Sequence, residues 1–309
     1  MQFYKEVIKN KPRNPRTTSQ LKPPRNLNLL DCERFVAWTI AFTGCFLDGT
    51  GERSFYLELC AGVGNFSASM CKLGRKCIGV ELLANTAKDV INDCVAAVDI
   101  TAGWFEWLVL DWIKRGLIAG IGAGVPCATF SRARRAPRRR GKKAGFPVAV
   151  RSNMYPWGLP DCSERDQKLV DVSNAVVKVC LRLIAAAAAL MLPCWIENPL
   201  PSILWYIEEF EPMKELGTFF QKRFAQCQFG TAAMKPTMLY LWNTKQTIDE
   251  RWQLCRYKRC GGGSFCPVNN RKHVVLTGPC KACDGGGWKT SAASAYNPPL
   301  AEAMAKLVI

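Results

Sequence analysis

The sequence predicts an α/β protein in which one mostly parallel β-sheet is covered by helices on both faces. Apolar runs of strand length alternate with longer segments of helical length, beginning at Phe55. This alternation is typical of βαβ units. The chain is also long enough, at 309 residues with 49% hydrophobic content, to bury a full core. Right-handed crossovers then place the loops after the strands along one edge, where such sheets bind ligands.

The predicted elements follow one another in a regular order. The expected strands are 55–59, 76–80, a third ending at Asp99-Ile100, 120–126 and 194–196. The expected helices are 31–47, one to about Leu73, one to about Cys94, 104–117 and 163–192. The alanine run 185–189 permits close packing of the last helix on the sheet. The loops at 60–66, 81–82, 99–101 and 126–131 should therefore line one crevice.

The domain organisation is predicted from changes in composition. Residues 1–30 are basic and proline-containing, which indicates a flexible arm. Residues 31–243 form the main domain, and residues 244–288, rich in glycine and clustered cysteine, form a small module. Residues 289–309 contain a helix, Pro299 to Leu307, that returns to the main domain.

The charge balance and the N-terminal sequence indicate which partner and which compartment to expect. Lys and Arg number 42 against 25 acids, a net charge of +17, which favours a polyanionic partner, although charge can also serve solubility alone. The most apolar stretches, 35–47 and 183–192, are shorter than a membrane span, so no membrane contact is expected. The N-terminus lacks a secretory pattern, and most of the 16 cysteines are scattered singly. We expect a monomer in a reducing, intracellular compartment, nuclear in a eukaryotic host and cytoplasmic otherwise.

A glycine turn follows the first strand. The run Leu57-Glu58-Leu59-Cys60-Ala61-Gly62-Val63-Gly64-Asn65-Phe66 lets the backbone approach a ligand closely. Glu81, at the end of the second strand, is placed to accept ribose hydroxyls. No Lys-Ser/Thr and no third glycine follow the turn, which favours a nucleoside without phosphate, such as S-adenosylmethionine.

These residues resemble the DNA cytosine-5 methyltransferase family, whose first motif runs like LDLFAGxGG. The resemblance implies a Rossmann-like S-adenosylmethionine-dependent methyltransferase sheet. It implies a cofactor site formed by Glu58, Cys60, Ala61, Gly62, Val63, Gly64, Glu81, Leu82, Asp99, Ile100 and Pro126. Glu81 would hold the ribose and Asp99 the adenine amine. Cys60 replaces an aromatic residue, Asn65 a glycine, and Leu82 a ring that often flanks the adenine.

The fourth strand leads into the candidate nucleophile. Gly124-Val125-Pro126-Cys127-Ala128-Thr129-Phe130-Ser131 is similar to the family's GPPCQxFS. A thiolate is well suited to attack cytosine C6, and C5 becomes nucleophilic only after such an addition. The alternative is a buried structural thiol.

The fifth strand ends in Glu197-Asn198-Pro199, where the family has Glu-Asn-Val. The resemblance makes Glu197 the group that binds or protonates cytosine N3, and Asn198 the residue that orders the Cys127 loop. Burial can raise the pKa of such a carboxyl, as this role requires. A simple turn at a strand end is the alternative.

Two later segments resemble the family less closely. Cys227 to Thr237 is similar to the motif ending in QxRxR, with Lys235 and Thr237 in place of the arginines. The role of the arginine that contacts cytosine O2 is therefore open, and Lys235 is a candidate as a point charge. Tyr296 to Ala305 is similar to the last motif, which folds back beside the first.

A basic run follows the Cys127 loop directly. Phosphate contacts there would orient DNA, or RNA, from which the target base is extruded. An import signal or a solvated loop are alternatives. The candidate phosphate-binding residues are Arg132, Arg134, Arg135, Arg138, Arg139 and Arg140, together with Lys235 nearer the base.

The small module stands where the resemblance implies a target-recognition domain, although it is short, and it carries a second cluster that is a candidate for structural zinc. Cys280-Lys-Ala-Cys283 has metal-ligand spacing, and Cys255-x4-Cys260 nearly so. The candidate ligands are Cys255, Cys260, Cys266, His273, Cys280 and Cys283, which exceed the four that zinc needs.

Two other functions compete with cytosine-5 methylation. An exocyclic-amine methyltransferase, acting on adenine N6 or cytosine N4, would use an Asn-Pro-Pro-aromatic loop, which Asn198-Pro-Leu-Pro and Asn297-Pro-Pro-Leu approximate. Cys127 would then have no role. A non-catalytic nucleic-acid-binding homologue is the other alternative, favoured by the missing arginine.

Overall fold

The computed structural model describes residues 32–43, 54–82, 92–131, 148–247, 249–256, 258–260, 263–274 and 296–309. The predicted arm at 1–30 lies outside these residues. Most of the helix expected to end near Cys94 also lies outside them. The predicted domain boundaries stay predictions.

The helices mostly match the predicted positions. They are α1 (Cys32–Thr43), α2 (Asn65–Lys72), α3 (Gly103–Lys114), α4 (Glu164–Ala189), α5 (Phe210–Lys214) and α6 (Pro298–Val308), with 3-10 turns at Ile203–Tyr206 and Gln226–Phe229. Helix α4 begins where it does because the Ser163 hydroxyl accepts from the Asp166 backbone N–H at 3.2 Å. Ala187 and Ala188 near its end are fully buried, as the alanine run predicts.

The main sheet has seven strands in the order β3-β2-β1-β4-β5-β7-β6. They are β1 (Phe55–Leu59), β2 (Cys77–Glu81), β3 (Val95–Ala97), β4 (Ile118–Gly124), β5 (Cys194–Pro199), β6 (Phe219–Ala225) and β7 (Pro236–Trp242). Strands β1 to β5 pair in parallel, and β7 runs antiparallel to both β5 and β6. The predicted α/β class with a mostly parallel sheet is confirmed, and β6 and β7 extend it beyond the five predicted strands.

Helices cover both faces of the sheet. Successive side chains of β1 point to opposite faces and pack against both layers of helices. Leu57 and Leu59 pack with Trp112 of α3 and Ile184 of α4 on one face. Tyr56 packs with the buried residues of the other face, which come from α2, α6, β5 and β7. The sheet therefore has a separate apolar layer on each of its faces.

The later part of the chain adds a small antiparallel sheet of three strands. They are β8 (Lys258–Cys260), β9 (Gly263–Cys266) and β10 (Arg271–Lys272), in the order β10-β9-β8. Trp252, just before them, packs edge-on against Phe224 of β6 and Phe229, with ring centroids 4.9 and 5.0 Å away. This contact joins residues 249–256 to the main sheet.

One helix in the described ranges, Glu164–Ala189, meets the length and composition criteria for crossing a membrane. A core helix of a globular protein meets the same criteria. This helix packs against β4, β5 and α3, and 44% of its most apolar window is buried within the protein.

Candidate active site

The crevice lies where the carboxyl ends of β1 to β5 meet, as the topology predicts. The register pairs Leu59 with Val80 of β2 and Ala123 of β4, and Gly124 with Glu197 of β5. The glycine turn, the acid after β2, the Cys127 loop and the Glu197 turn therefore emerge side by side. Because β7 is antiparallel, its first residues join the same edge, with Thr237 opposite Pro199.

The Glu58 side chain supports the glycine turn through hydrogen bonds from Ser67. This fully buried carboxyl group accepts from the Ser67 backbone N–H at 3.0 Å and from its hydroxyl at 2.6 Å, at the start of α2. Burial raises the pKa of Glu58 from 4.5 to about 8. The sequence suggested Glu58 as a cofactor residue, but its side chain has no exposed surface and supports the turn.

The turn itself has the shape predicted for a close-approach loop. Cys60, Gly62 and Gly64 have positive φ values of 55°, 56° and 76°. No atom lies within 4 Å of the position that a Gly62 Cβ would take, so the space in front of this residue is open. Asn65, which stands where the family carries glycine, donates to the Tyr296 carbonyl oxygen at 2.6 Å. This bond ties the first motif to the last, which folds back beside it as predicted.

Two predicted acids lie at the ends of the next strands, Glu81 as the last residue of β2 and Asp99 just after β3. The Glu81 carboxylate accepts from the Gly62 backbone N–H at 2.8 Å and from the Leu82 N–H at 2.9 Å. Asp99 accepts from the Thr101 N–H and hydroxyl at 2.9 and 2.6 Å. Leu82 is 38% exposed and offers an apolar surface beside Glu81, while Ile100 is buried. Of these residues, Glu81 bonds directly to the turn, while Asp99 and Ile100 follow β3.

Cys127 lies in a tight turn after β4. Its carbonyl oxygen accepts from the backbone N–H groups of Phe130 and Ser131 at 3.1 and 2.7 Å. Pro126 beside it is exposed, and Cys127 is partly buried. Burial raises the pKa of the Cys127 thiol, the positive charge of Lys235 lowers it, and the negative charge of Glu197 raises it.

Arg151 holds the Cys127 loop, and no sequence signal pointed to it. Its side chain is 2% exposed, stacks 3.8 Å from the Phe130 ring centroid, and donates to the Thr129 hydroxyl at 3.0 and 3.1 Å. It also donates to Asn174 Oδ1 at 2.8 Å and to the Pro156 carbonyl at 2.7 Å. A buried guanidinium with several acceptors fixes the segment after the nucleophile.

Glu197 and Asn198 are neighbours in β5 and make different contacts. Glu197 is buried, which raises the pKa of its carboxyl, while Lys235 and a hydrogen bond from the Tyr296 hydroxyl lower that pKa. The fully buried Asn198 amide donates to the Val125 carbonyl at 2.7 Å, two residues before Cys127. Asn198 therefore orders the Cys127 loop in the way that the resemblance implies.

Lys235 enters the site from the turn before β7. Its φ of 30° is a sparsely populated conformation for a non-glycine residue. Its carbonyl oxygen accepts from the Gln226 N–H at 3.2 Å and from the Thr237 hydroxyl at 3.0 Å. Lys235 and Thr237 stand in place of the family's arginines. The positive charge of Lys235 lowers the pKa of both Cys127 and Glu197, and the buried Thr237 holds the Lys235 backbone through its hydroxyl.

The remaining predicted residues are the basic run, the candidate metal ligands and Asn297. The six arginines from Arg132 to Arg140 lie outside the described residues, as do Cys280, Cys283 and the side chain of Cys260. Cys255, Cys266 and His273 come together, joined by Cys227, which the spacing argument missed. The Asn297 amide, proposed for an amine-methylating loop, donates to the Phe229 carbonyl and precedes α6.

The sheet order and the single antiparallel strand define a Rossmann-like methyltransferase fold. The chain is similar to the solved structures of Dnmt2 methyltransferase from S. pombe (12% identity, TM-score 0.35) and methyltransferase EhMeth from Entamoeba histolytica (11%, 0.38). It is also similar to a mutant Dnmt2 from Spodoptera frugiperda (13%, 0.31). The matches cover 64%, 68% and 64% of this chain, and only 52%, 58% and 53% of those chains. No family model and no curated protein matches the sequence.

Proposed function

We propose that this protein transfers a methyl group from S-adenosylmethionine to C5 of cytosine in nucleic acid, through a covalent bond between Cys127 Sγ and cytosine C6. The observation that carries the proposal is the grouping of a thiol, a buried carboxyl and a lysine at one sheet edge. The register places Glu197 opposite Gly124, three residues before Cys127, and places Thr237, two residues after Lys235, opposite Pro199. The two alternative functions leave this grouping without a task.

The residues present fit the cofactor. The open space at Gly62 admits the methionine and ribose side, and the Glu81 carboxylate lies at the turn to accept ribose hydroxyls. Leu82 provides an apolar surface for the adenine. When bound, the cofactor supplies an electrophilic methyl group on a sulfonium sulfur.

The protein's own residues then perform the activation. The Cys127 thiol releases its proton to solvent, and the charge of Lys235 stabilises the thiolate. The Sγ–C6 bond forms while Glu197 gives its proton to N3, which makes C5 nucleophilic. C5 would then accept the methyl group, which the cofactor held at Gly62 and Glu81 would supply from its sulfonium sulfur. The C5 proton then leaves to solvent, the Sγ–C6 bond breaks, and the N3 proton returns to Glu197.

The substrate follows from charge and access. A net charge of +17 suits a polyanion, and a base must leave its stack to reach a thiol in a partly buried turn. We take DNA as the first substrate and RNA as the second arm of the test. Lys235 would contact the base as a point charge, because it lacks the fork of an arginine.

The test is covalent trapping with oligonucleotides that carry 5-fluorocytosine, as DNA and as RNA, in the presence of S-adenosylmethionine. Fluorine at C5 cannot leave as a proton does, so the adduct should accumulate and survive denaturation. Cys127→Ala should form none, and Cys162→Ala, which alters a partly buried cysteine bonded to the Val150 carbonyl, should trap normally. An adduct that persists in Cys127→Ala would refute the mechanism.

Product analysis separates the alternatives. Digested product should contain 5-methylcytosine. N4-methylcytosine or N6-methyladenine, formed equally by Cys127→Ala, would establish an amine methyltransferase instead. Binding of nucleic acid with no adduct and no cofactor uptake by calorimetry would establish a non-catalytic homologue.

A further inference from the structure

Four side chains outside the active site converge on one point. Cys227 lies in the 3-10 turn Gln226–Phe229, Cys255 follows Trp252, Cys266 ends β9, and His273 follows β10. Their ligand atoms all lie within 4.8 Å of one another. The Cys255 sulfur is 3.9 Å from the Cys266 sulfur and 3.7 Å from His273 Nε2.

These separations match a tetrahedral zinc site. A zinc–sulfur bond of about 2.3 Å places two sulfurs of a tetrahedron about 3.8 Å apart. The observed 3.9 Å separation therefore leaves room for one ion between the thiols of Cys255 and Cys266. Sulfur and imidazole ligands select zinc over magnesium or calcium, which prefer oxygen.

The surroundings of the cluster orient its ligands. The Cys266 sulfur accepts from the backbone N–H groups of Val268 and Asn269, in the turn that follows it. The Asn269 amide donates to the carbonyl oxygens of Cys227 and Thr231 at 3.2 and 3.0 Å. Cys227, Cys255 and Cys266 are all buried, as expected for a closed structural site rather than an open catalytic one.

We propose that Cys227, Cys255, Cys266 and His273 bind one Zn²⁺ as a closed Cys₃His site. Binding releases three thiol protons and forms three zinc–sulfur bonds and one bond to His273 Nε2. Basic residues next to the ligands in sequence, Arg256 and Lys272, offset the negative charge of the filled site.

This site joins two parts of the chain that are far apart in sequence. Cys227 belongs to the segment that continues through Lys235, and the Gln226 N–H donates to the Lys235 carbonyl at 3.2 Å. The Val274 N–H, next to His273, donates to the Ala232 carbonyl at 2.9 Å. The ion therefore fixes the turn that presents Lys235. Metal binding itself does not depend on the proposed methyl transfer.

The test measures metal in the full-length protein. Protein purified without chelator should contain one equivalent of zinc by elemental analysis. After exchange, cobalt should give the visible d–d and thiolate charge-transfer bands of a tetrahedral three-thiolate site. Chelation should lower the melting temperature. A folded protein that holds no zinc and gives no cobalt spectrum after reduction would overturn the proposal, as would a Cys255–Cys266 disulfide found in protein purified under reducing conditions.

Variants identify the ligands. Cys227→Ser should lose the metal, and Cys71→Ser, at an exposed cysteine of α2, should keep it. His273→Cys should retain zinc and shift the cobalt bands toward a four-thiolate pattern, which guards against simple misfolding of the Cys227 variant. The double variant Cys280→Ser/Cys283→Ser should keep the metal. Loss of metal there with retention in Cys227→Ser would overturn the assignment.

Discussion

The Tyr296 hydroxyl donates a 3.1 Å hydrogen bond to Glu197 Oε2, across 99 residues of sequence. Tyr296 precedes the C-terminal helix, and its ring also lies edge-on to Trp195, with centroids 6.2 Å apart. The last segment of the chain therefore reaches the carboxyl that we assign to cytosine N3. We assign Tyr296 as a positioning residue that acts through its hydrogen bond to Glu197.

The Tyr296–Glu197 bond should be measurable as a coupling free energy. Tyr296→Phe and Glu197→Gln, singly and together, form a double-mutant cycle in urea unfolding. We expect a coupling of about 0.5–1.5 kcal/mol, the usual worth of one hydrogen bond. Trp195 packing is retained in both variants. Additive effects of the two changes would show that the bond contributes nothing in solution.

Lys235 and Glu197 should move the pKa of Cys127 in opposite directions. Lys235→Met removes the charge that lowers this pKa, so the pKa should rise; Glu197→Gln removes the charge that raises it, so the pKa should fall. The measurement is the pH dependence of Cys127 alkylation, followed on its own peptide by mass spectrometry. Lys235→Arg serves as the control with unchanged charge. Shifts in the same direction for both variants would contradict the arrangement.

Arg151 should affect trapping through the Thr129 hydroxyl. Thr129→Val removes the acceptor of two Arg151 bonds and leaves the guanidinium with its Asn174 and Pro156 acceptors. We expect slower 5-fluorocytosine trapping and a loss of about 1–3 kcal/mol in the free energy of unfolding. Thr129→Ser keeps the hydroxyl and should restore the trapping rate. A Ser variant as slow as the Val variant would mean that the methyl group matters instead.

The two glycines of the cofactor turn should behave differently. A Cβ at Gly64 would lie 2.2 Å from Val95 Cγ2, so Gly64→Ala should lower the melting temperature markedly. Gly62→Ala meets no atom within 4 Å, and its stability cost should be about 1 kcal/mol from the positive φ alone. Its main effect should be weaker S-adenosylmethionine binding in calorimetry. Unchanged affinity in Gly62→Ala would place the cofactor elsewhere.

Glu58 should make stability depend on pH. Its pKa is raised from 4.5 to about 8, so the folded state retains a proton that the unfolded state releases. Its contribution to stability is complete below pH 4.5 and declines as pH rises to about 8. Relative to wild type, Glu58→Gln should therefore gain stability across that window, by up to about 5 kcal/mol. The exposed Glu164→Gln should show no such trend, and a flat difference for Glu58→Gln would refute the shift.

Much of the site could be predicted from short stretches of sequence. Gly62, Gly64 and Cys127 follow strands, and Glu81 and Glu197 lie at or near the ends of strands. The rules of parallel sheets bring such loops to one edge whatever the details of packing. The strand-helix alternation therefore determined the α/β class and the placement of Cys127 and Glu197 at one edge of the sheet.

Other partners were decided by the tertiary structure alone. Arg151, Tyr296 and Cys227 act on groups 22, 99 and 28 or more residues away, and no local pattern marks such pairings. Strand β7 runs antiparallel, which places Lys235 at the same edge as Cys127. A sequence specifies where strands end because hydrophobic period and turn chemistry are local. Which distant side chain fills each remaining space depends on how the layers pack, and only the folded chain settles that.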